Sequence, residues 1–267
     1  MADSETCLKV WNLEHNREER ILRGHHGPVT AVALTLDDSR AISGSRDGTI
    51  IVWNMVNSAI LHTLYGHTAW VRAVVLAPSG CLAISASDDR TLKVWDIEHG
   101  KEVHTMRGHN ANVRTVALSP DGHIAISGSA DHTVKVWDVE QGVEVLTLRG
   151  HTAAVLSVDI SLDGRKALSS SRDHSIRIWN LDCGAEEQRL IGHEAAVMSV
   201  KLFAGGRSAV SVSEDGIVKV WNMLSGTEAA SFIADSGLLA CAVAGDEVTI
   251  AVSGLKGQIH LLRLEGV

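Results

Sequence analysis

The 267-residue sequence has little of what would point to a membrane, a secreted precursor or a disordered chain. Its longest apolar run, Leu238 to Ala244, is far shorter than the roughly 18 residues that a membrane-spanning helix needs. The start, Met-Ala-Asp-Ser-Glu, has neither the basic nor the apolar region of a signal peptide. Prolines number only three, and 45% of the residues are hydrophobic, which is typical of a globular chain. We therefore predict a globular protein in the cytoplasm.

Cysteine, metal-ligand patterns and basic charge are also scarce. The four cysteines form no Cys-x-x-Cys pair, so we expect reduced thiols rather than disulfides or a zinc site. The sequence contains no His-x-x-x-His spacing and no Walker-type glycine loop, so we expect neither a metal nor another cofactor. A formal net charge of −8 argues against a general binder of nucleic acid or anionic membranes, because such proteins usually present a basic surface.

An internal repeat dominates what is present. Tryptophans recur every 42 residues, at Trp11, Trp53, Trp95, Trp137, Trp179 and Trp221. A Gly-His dipeptide keeps the same interval and ends at His25, His67, His109, His151 and His193. Between them lie runs of strand length that are rich in β-branched residues, for example 113–119, 124–129, 133–138 and 143–148, separated by turn residues such as Pro120-Asp121-Gly122. Each interval is therefore expected to hold four antiparallel strands, as in a propeller blade.

Along each interval the motifs follow the order Gly-His, Ser-Pro-Asp-Gly, Ser-x-Asp-x-Thr and Trp-Asp or Trp-Asn. These motifs closely resemble those of the WD-repeat β-propeller family, over nearly the whole chain. The resemblance implies an all-β fold of four-stranded antiparallel blades in one domain, 1–267. We divide it into a partial N-terminal repeat (1–24), five near-consensus blades (25–232) and a degenerate capping repeat (233–267). In the last repeat, three strands are expected between residues 238 and 264, with Lys256 in place of the turn aspartate and Leu262 in place of the tryptophan.

The ends of the chain leave the number of blades open. Propellers of this family close when an N-terminal outer strand completes the last blade, and Arg17 to Arg23 would supply that strand to the blade formed by residues 238–264. This arrangement gives six closed blades, which we favour. Thr6 to Leu13 would then be a surplus strand that competes with Gly257 to Leu264, because the chain begins inside a repeat. A seven-bladed or an incomplete ring is the alternative.

Each of the five good repeats carries a histidine, a serine, an aspartate and a tryptophan at fixed offsets. A catalytic Ser-His-Asp triad is normally unique in its domain, so five copies at one interval indicate architecture rather than catalysis. The resemblance implies that the four residues form a hydrogen-bonded tetrad inside each blade. The five sets are His25, Ser43, Asp47, Trp53; His67, Ser85, Asp89, Trp95; His109, Ser127, Asp131, Trp137; His151, Ser169, Asp173, Trp179; and His193, Ser211, Asp215, Trp221.

Partners of the family commonly dock on one face of the ring, to which three positions of each repeat point. Carried onto this chain, these positions include Arg46, Trp70, Arg72, Asp88, Asn112, Arg114 and Arg172. Trp70 is the only tryptophan outside the 42-residue interval, so it is our first candidate for a binding hot spot; alternatively, it shields the neighbouring blade. The four arginines favour an acidic or phosphorylated peptide. Alternatively, they form a solvated rim that Asp88 and Glu214 partly neutralise.

We therefore predict a protein-interaction scaffold or sensor that docks protein or peptide partners, not an enzyme, with no small-molecule substrate and no membrane partner. The tandem repeats and their capping unit resemble those that follow ATPase signalling domains in large bacterial proteins, which implies a role in signalling. One alternative is a hydrolase-like enzyme with its site in the central channel, which would require non-repeated carboxylates or metal ligands. The other is recognition of nucleic acid through the arginine rim.

Overall fold

Nearly all of the regular secondary structure is β-strand. The computed structural model describes residues 6–12, 15, 17–246 and 248–264. Within them, the one helical segment is a short 3-10 turn at Ala204–Gly206. The expected all-β class is therefore confirmed. No helix in this part of the chain is long and apolar enough to span a membrane.

The strands fall into two compact units. The first contains the described residues up to 116 together with 141–143, and the second contains residues 117–140 and the described residues from 144 onward. In both units, consecutive strands form antiparallel sheets, as the repeat predicts.

The first unit contains a hairpin and two four-stranded sheets. The hairpin is formed by β1 (Cys7–Asn12) and β2 (Arg17–Arg23). The first four-stranded sheet is formed by β3 (Val29–Leu34), β4 (Arg40–Ser45), β5 (Ile50–Asn54) and β6 (Ala59–Leu64). The second is formed by β7 (Val71–Leu76), β8 (Leu82–Ser87), β9 (Thr91–Asp96) and β10 (Lys101–Arg107).

The next four strands along the chain form another sheet, and three further sheets belong to the second unit. The sheet is formed by β11 (Val113–Leu118), β12 (Ile124–Ser129), β13 (Thr133–Asp138) and β14 (Val143–Arg149). Two four-stranded sheets follow: β15 (Val155–Ile160), β16 (Lys166–Ser171), β17 (Ser175–Asn180), β18 (Glu186–Ile191); and β19 (Val197–Phe203), β20 (Ser208–Ser213), β21 (Ile217–Asn222), β22 (Thr227–Ile233). The last sheet has three strands, β23 (Leu238–Val243), β24 (Thr249–Gly254) and β25 (Ile259–Arg263).

Neighbouring sheets pack face to face. In the first unit, Ile42 and Val52 of one sheet lie in a buried cluster with Val71 and Val74 of the next. Because the two middle strands are buried on both faces, their side chains are apolar or small at nearly every position rather than alternating with polar ones. Repeated four-stranded antiparallel sheets that pack in this way are consistent with the blades of a β-propeller.

In the last sheet, apolar residues stand in place of the tryptophan and the serine of the tetrad. Leu262 pairs with Ile250 in the register in which Trp221 pairs with Ala209 one repeat earlier. Val252 takes the place of the serine, is buried, and belongs with Leu262 to one apolar cluster. The prediction of three strands between residues 238 and 264 is confirmed.

One predicted strand pairing is wrong. We expected residues 17–23 to complete the sheet of residues 238–264, but β2 pairs with β1 instead, with Cys7 opposite Arg23 and Asn12 opposite Arg17. The physical reason is local, because two strands that are close in sequence lose less entropy on pairing than strands at opposite ends of a chain. Apolar side chains add to this, since Leu8 and Val10 pack with Leu22 against the next sheet. The six-blade closure that this pairing would have produced is therefore not seen among the described strands, and the number of blades stays open.

Candidate functional site

The tetrad positions are tied together by a repeated tryptophan–serine hydrogen bond. The indole Nε1–H donates to a serine Oγ at 2.8 Å in all five repeats: Trp53 to Ser43, Trp95 to Ser85, Trp137 to Ser127, Trp179 to Ser169 and Trp221 to Ser211. The serine lies on the second strand of each sheet and the tryptophan on the third. All five serines are 0% exposed and the tryptophans at most 2%. The hydroxyl is therefore sealed beneath the indole ring.

The histidine extends this bond into a chain. Its Nε2 lies 2.7 to 2.8 Å from the serine Oγ in the pairs His25–Ser43, His67–Ser85, His151–Ser169 and His193–Ser211. Its Nδ1 lies 2.7 to 2.9 Å from an aspartate oxygen in the pairs His67–Asp89, His151–Asp173 and His193–Asp215. Because an ionised carboxylate only accepts, Nδ1 carries the proton, and Nε2 accepts from the serine hydroxyl.

The first repeat differs in one contact. His25 Nδ1 is 3.5 Å from Asp47 and lies 3.0 Å from the Thr49 hydroxyl. As in other repeats, the aspartate also accepts from the turn and from the residue after the histidine: Asp47 accepts from the Thr49 hydroxyl at 2.6 Å and from the His26 backbone N–H at 2.7 Å. The aspartate therefore also closes the turn between the second and third strands, where Gly48 has a left-handed φ of +82°.

Burial and hydrogen bonding fix the charges of these groups. Partial burial acts to raise the pKa of Asp47, but the hydrogen bonds from Thr49 and from the His26 N–H outweigh it and lower that pKa to about 2. Burial lowers the pKa of His25 and of His193, against the opposing charge of their aspartates. At neutral pH, Asp47 is ionised and both histidines are neutral.

A second group of residues surrounds the exposed Trp70, and we call Arg46, Trp70, Arg72 and Asp88 the Trp70 cluster. Trp70 precedes β7 and is 39% exposed. The Arg46 guanidinium carbon lies 4.4 Å from the centroid of its ring, and that of Arg72 lies 4.8 Å from it. Both distances are within the range of a cation–π interaction. The neighbouring sheets thus contribute to one surface, Arg46 from the turn after β4 and the other three from around β7 and β8.

The two arginines differ in how their charge is used. Arg72 donates Nε–H to Asp88 Oδ1 at 2.8 Å and Nη2–H to Oδ2 at 2.6 Å, which is a bidentate pair. The backbone N–H of Asp88 donates to the Trp70 carbonyl at 2.9 Å, which anchors the carboxylate beside the ring. In the described part of the chain, Arg46 has no carboxylate partner, and its buried Nε has no hydrogen-bond acceptor. Arg46 therefore supplies the positive charge that is not neutralised within the cluster.

The other predicted face residues are not among these contacts. Asn112 and Arg114 lie just before and within β11 and are half-buried. Arg172 lies in the second unit and is exposed in the turn after β16, where its backbone N–H donates to the Ala154 carbonyl at 2.9 Å. Their assignment to a partner-binding face stays a prediction. Among the described residues, no group of three or more His, Cys, Asp or Glu side chains is placed to hold a metal ion.

Sequence reasoning missed a second repeated set of contacts. A cation on the third strand pairs with a glutamate on the fourth: Lys93 with Glu102, Lys135 with Glu144, Arg177 with Glu186 and Lys219 with Glu228. The signal was available, because each cation stands nine residues before its glutamate and two residues before a repeat tryptophan. These pairs join the third and fourth strands of a sheet.

The family model described as WD domain, G-beta repeat, matches residues 16–54, 58–96, 100–138, 142–180 and 184–222. These five matches cover well over half of the sequence. The chain belongs to the WD40 family. Repeats of the WD40 type generally mediate protein–protein interaction, and the family is generally non-enzymatic. The five WD40 matches end before the last sheet, in which Val252 and Leu262 stand in place of the tetrad serine and tryptophan. No curated protein matches the chain in a sequence comparison.

Proposed function

We propose that this chain is a non-enzymatic scaffold or sensor module of the cytoplasm that docks acidic or phosphorylated segments of partner proteins on the Trp70 cluster. The observation that carries the proposal is the exposed Trp70 ring with the guanidinium of Arg46 stacked on it and not neutralised. Tryptophan and arginine are among the residues most enriched at the hot spots of protein interfaces. Guanidinium groups bind carboxylates and phosphates through paired hydrogen bonds.

The buried serines support the non-enzymatic part of the proposal. Ser85, His67 and Asp89 follow the hydrogen-bond order of a catalytic triad. A triad needs a nucleophile that a substrate can reach, next to donors that stabilise an oxyanion. The Ser85 hydroxyl is 0% exposed and accepts the indole N–H of Trp95, so a substrate carbonyl has no path to it.

The test compares two exposed tryptophans. Wild-type protein, Trp70→Ala and Trp11→Ala are applied to immobilised degenerate peptide libraries with a central phosphoserine, glutamate, serine or lysine. Trp11 is 52% exposed and lies outside the cluster, so it is the matched control. We expect the phosphoserine and glutamate libraries to retain wild type and Trp11→Ala. Trp70→Ala should bind at least about 30-fold more weakly, the equivalent of a hot-spot loss of about 2 kcal/mol.

Two results would contradict the proposal, provided that all three proteins melt alike. One is equal retention of Trp70→Ala and wild type on the acidic libraries, because the docking surface would then lie elsewhere. The other is a preference for the lysine library, because that would exclude an acidic partner.

A further inference from the structure

The two guanidinium groups on Trp70 are not equivalent, although both stack on its ring at 4.4 and 4.8 Å. Asp88 engages the Nε and Nη2 edge of Arg72, which is the edge that binds a carboxylate bidentately. The Asp88 side chain is 14% exposed and that of Arg72 is 26% exposed, so this pair is largely shielded from water. Asp88 therefore occupies, within the chain, the place that the acidic group of a ligand would take on Arg72.

We infer that Asp88 is an internal competitor that sets the affinity of the Trp70 cluster for acidic ligands, and that Arg46 is the arginine that binds them. This inference rests on the proposed docking of acidic segments and adds which residues determine its strength. In the wild type, a ligand carboxylate or phosphate contacts the guanidinium of Arg46, which no carboxylate of the described residues pairs with, and leaves the Arg72–Asp88 pair intact.

A ligand would gain little binding free energy by displacing Asp88 from Arg72. A ligand carboxylate that took the paired edge of Arg72 would exchange one bidentate ion pair for another of the same kind. It would also leave the Asp88 charge largely buried without its partner, which is costly. The anchoring of Asp88 through its backbone bond to the Trp70 carbonyl opposes such an exchange. Arg72 is therefore a positioning residue for Trp70 in the wild type and becomes a ligand-binding residue when the Asp88 charge is removed.

The sequence supports the distinct role of this carboxylate. Asp88 stands directly before the turn aspartate, and the residues at the same position of the other repeats are Arg46, Ala130, Arg172 and Glu214. The fold thus accepts cationic, apolar and anionic side chains there. The aspartate is not required by the turn, since the turn is closed by the next residue, Asp89, which accepts from Thr91 N–H and hydroxyl at 2.9 and 2.6 Å.

The experiment is a double-mutant cycle with two small probes, Ac-Ala-phosphoSer-Ala-amide and Ac-Ala-Glu-Ala-amide, and the serine peptide as the neutral control. Binding is followed by the Trp70 indole N–H resonance in NMR titrations of wild type, Asp88→Asn, Arg72→Gln, Asp88→Asn/Arg72→Gln and Arg46→Gln. Asp88→Asn keeps the shape of the side chain and the backbone bond to Trp70, and the melting temperature of each variant checks the fold.

We expect Asp88→Asn to bind both anionic probes about 10-fold or more tightly than wild type, because the paired edge of Arg72 becomes available. Arg72→Gln should weaken the binding of the anionic probes by less than about 3-fold in the wild-type background and by about 10-fold in the Asp88→Asn background. Arg46→Gln should lose most of the wild-type binding.

Unchanged or weaker binding by Asp88→Asn would overturn the inference while the proposed function stands. It would mean that Asp88 orients Arg72 for the ligand instead of competing with it. If neither anionic probe shifts the Trp70 resonance in wild type or in Asp88→Asn, both the inference and acidic docking at this cluster are wrong.

Discussion

Where the later repeats have a partly buried ion pair between the third and fourth strands, the first four-stranded sheet has two isoleucines. Lys93 and Glu102 lie against the glycine of the preceding Gly-His dipeptide and against the repeat tryptophan. In the first repeat, Ile51 and Ile60 occupy the same place against the equivalent glycine and tryptophan. We therefore expect that the double change Lys93→Ile and Glu102→Ile preserves the fold and leaves the free energy of unfolding within about 1 kcal/mol of wild type, or raises it.

The single change Glu102→Ala should behave differently. The Lys93 side chain is 8% exposed, and its Nζ lies 2.7 Å from both Glu102 and the Thr105 hydroxyl. Removal of one partner of a fully buried pair costs about 3–5 kcal/mol because a charge stays buried without compensation. Glu102 is 33% exposed, so water partly replaces it, and we expect a loss of about 1–3 kcal/mol.

Urea unfolding, followed by tryptophan fluorescence, measures all three free energies. Glu98→Ala is the control, since Glu98 is an exposed glutamate in the turn between β9 and β10, and its change should stay within about 0.5 kcal/mol. If the double isoleucine variant loses as much stability as Glu102→Ala, the ion pair contributes net stability, and the equivalence of the two repeats is wrong. A Glu102→Ala variant as stable as wild type would show that Lys93 needs no partner.

Two further predictions concern the tetrads. Trp137→Ala should lower the free energy of unfolding by about 3–5 kcal/mol, because this ring is 1% exposed and donates to Ser127. The control Trp11→Ala changes a ring that is 52% exposed and should lower it by less than about 1 kcal/mol. Equal melting temperatures for the two variants would rule out a structural tetrad. Stability should fall as the pH is lowered from 7 to 5, because the lowered pKa of His25 and His193 means that the unfolded chain binds their protons first. Thermal melting across this range, with His25→Gln/His193→Gln as the comparison, should show a smaller pH dependence in the variant, and an identical dependence would contradict the assignment.

The sequence predicts the strands of the sheets well because the same pattern of strand and turn residues recurs in each repeat. The runs at 124–129 and 133–138 coincide with β12 and β13, and the runs at 113–119 and 143–148 differ from β11 and β14 by one residue each. Turn residues delimit these strands, and burial on both faces selects their β-branched side chains. Such features depend on neighbours along the chain or across one hairpin, and a periodic sequence shows them directly.

Pairings that depend on tertiary geometry were not predicted as well. The pattern of residues 17–23 fits an outer strand, but it does not specify which strand lies beside it, and the short connection to β1 decides the pairing. Trp70 was singled out because it lies off the 42-residue interval, yet its stacking with Arg46 of the preceding sheet depends on how the two sheets pack, which the repeat pattern does not show. The ion pair between Arg72 and Asp88 is likewise a tertiary contact that the pattern does not specify.

The residue directly before the turn aspartate differs between repeats, so the fold does not determine which residue stands there. The turn aspartate is the same in all five good repeats, since each copy must close the same turn, whereas the residue before it varies in size and sign. In the first two of these repeats that variable residue is Arg46 and Asp88, and both reach the surroundings of Trp70. One repeat supplies the cation that no carboxylate of the cluster pairs with, and the next supplies the carboxylate that occupies Arg72. The arrangement of charges around Trp70 is therefore a property of two adjacent repeats, and the consensus of a single repeat does not encode it.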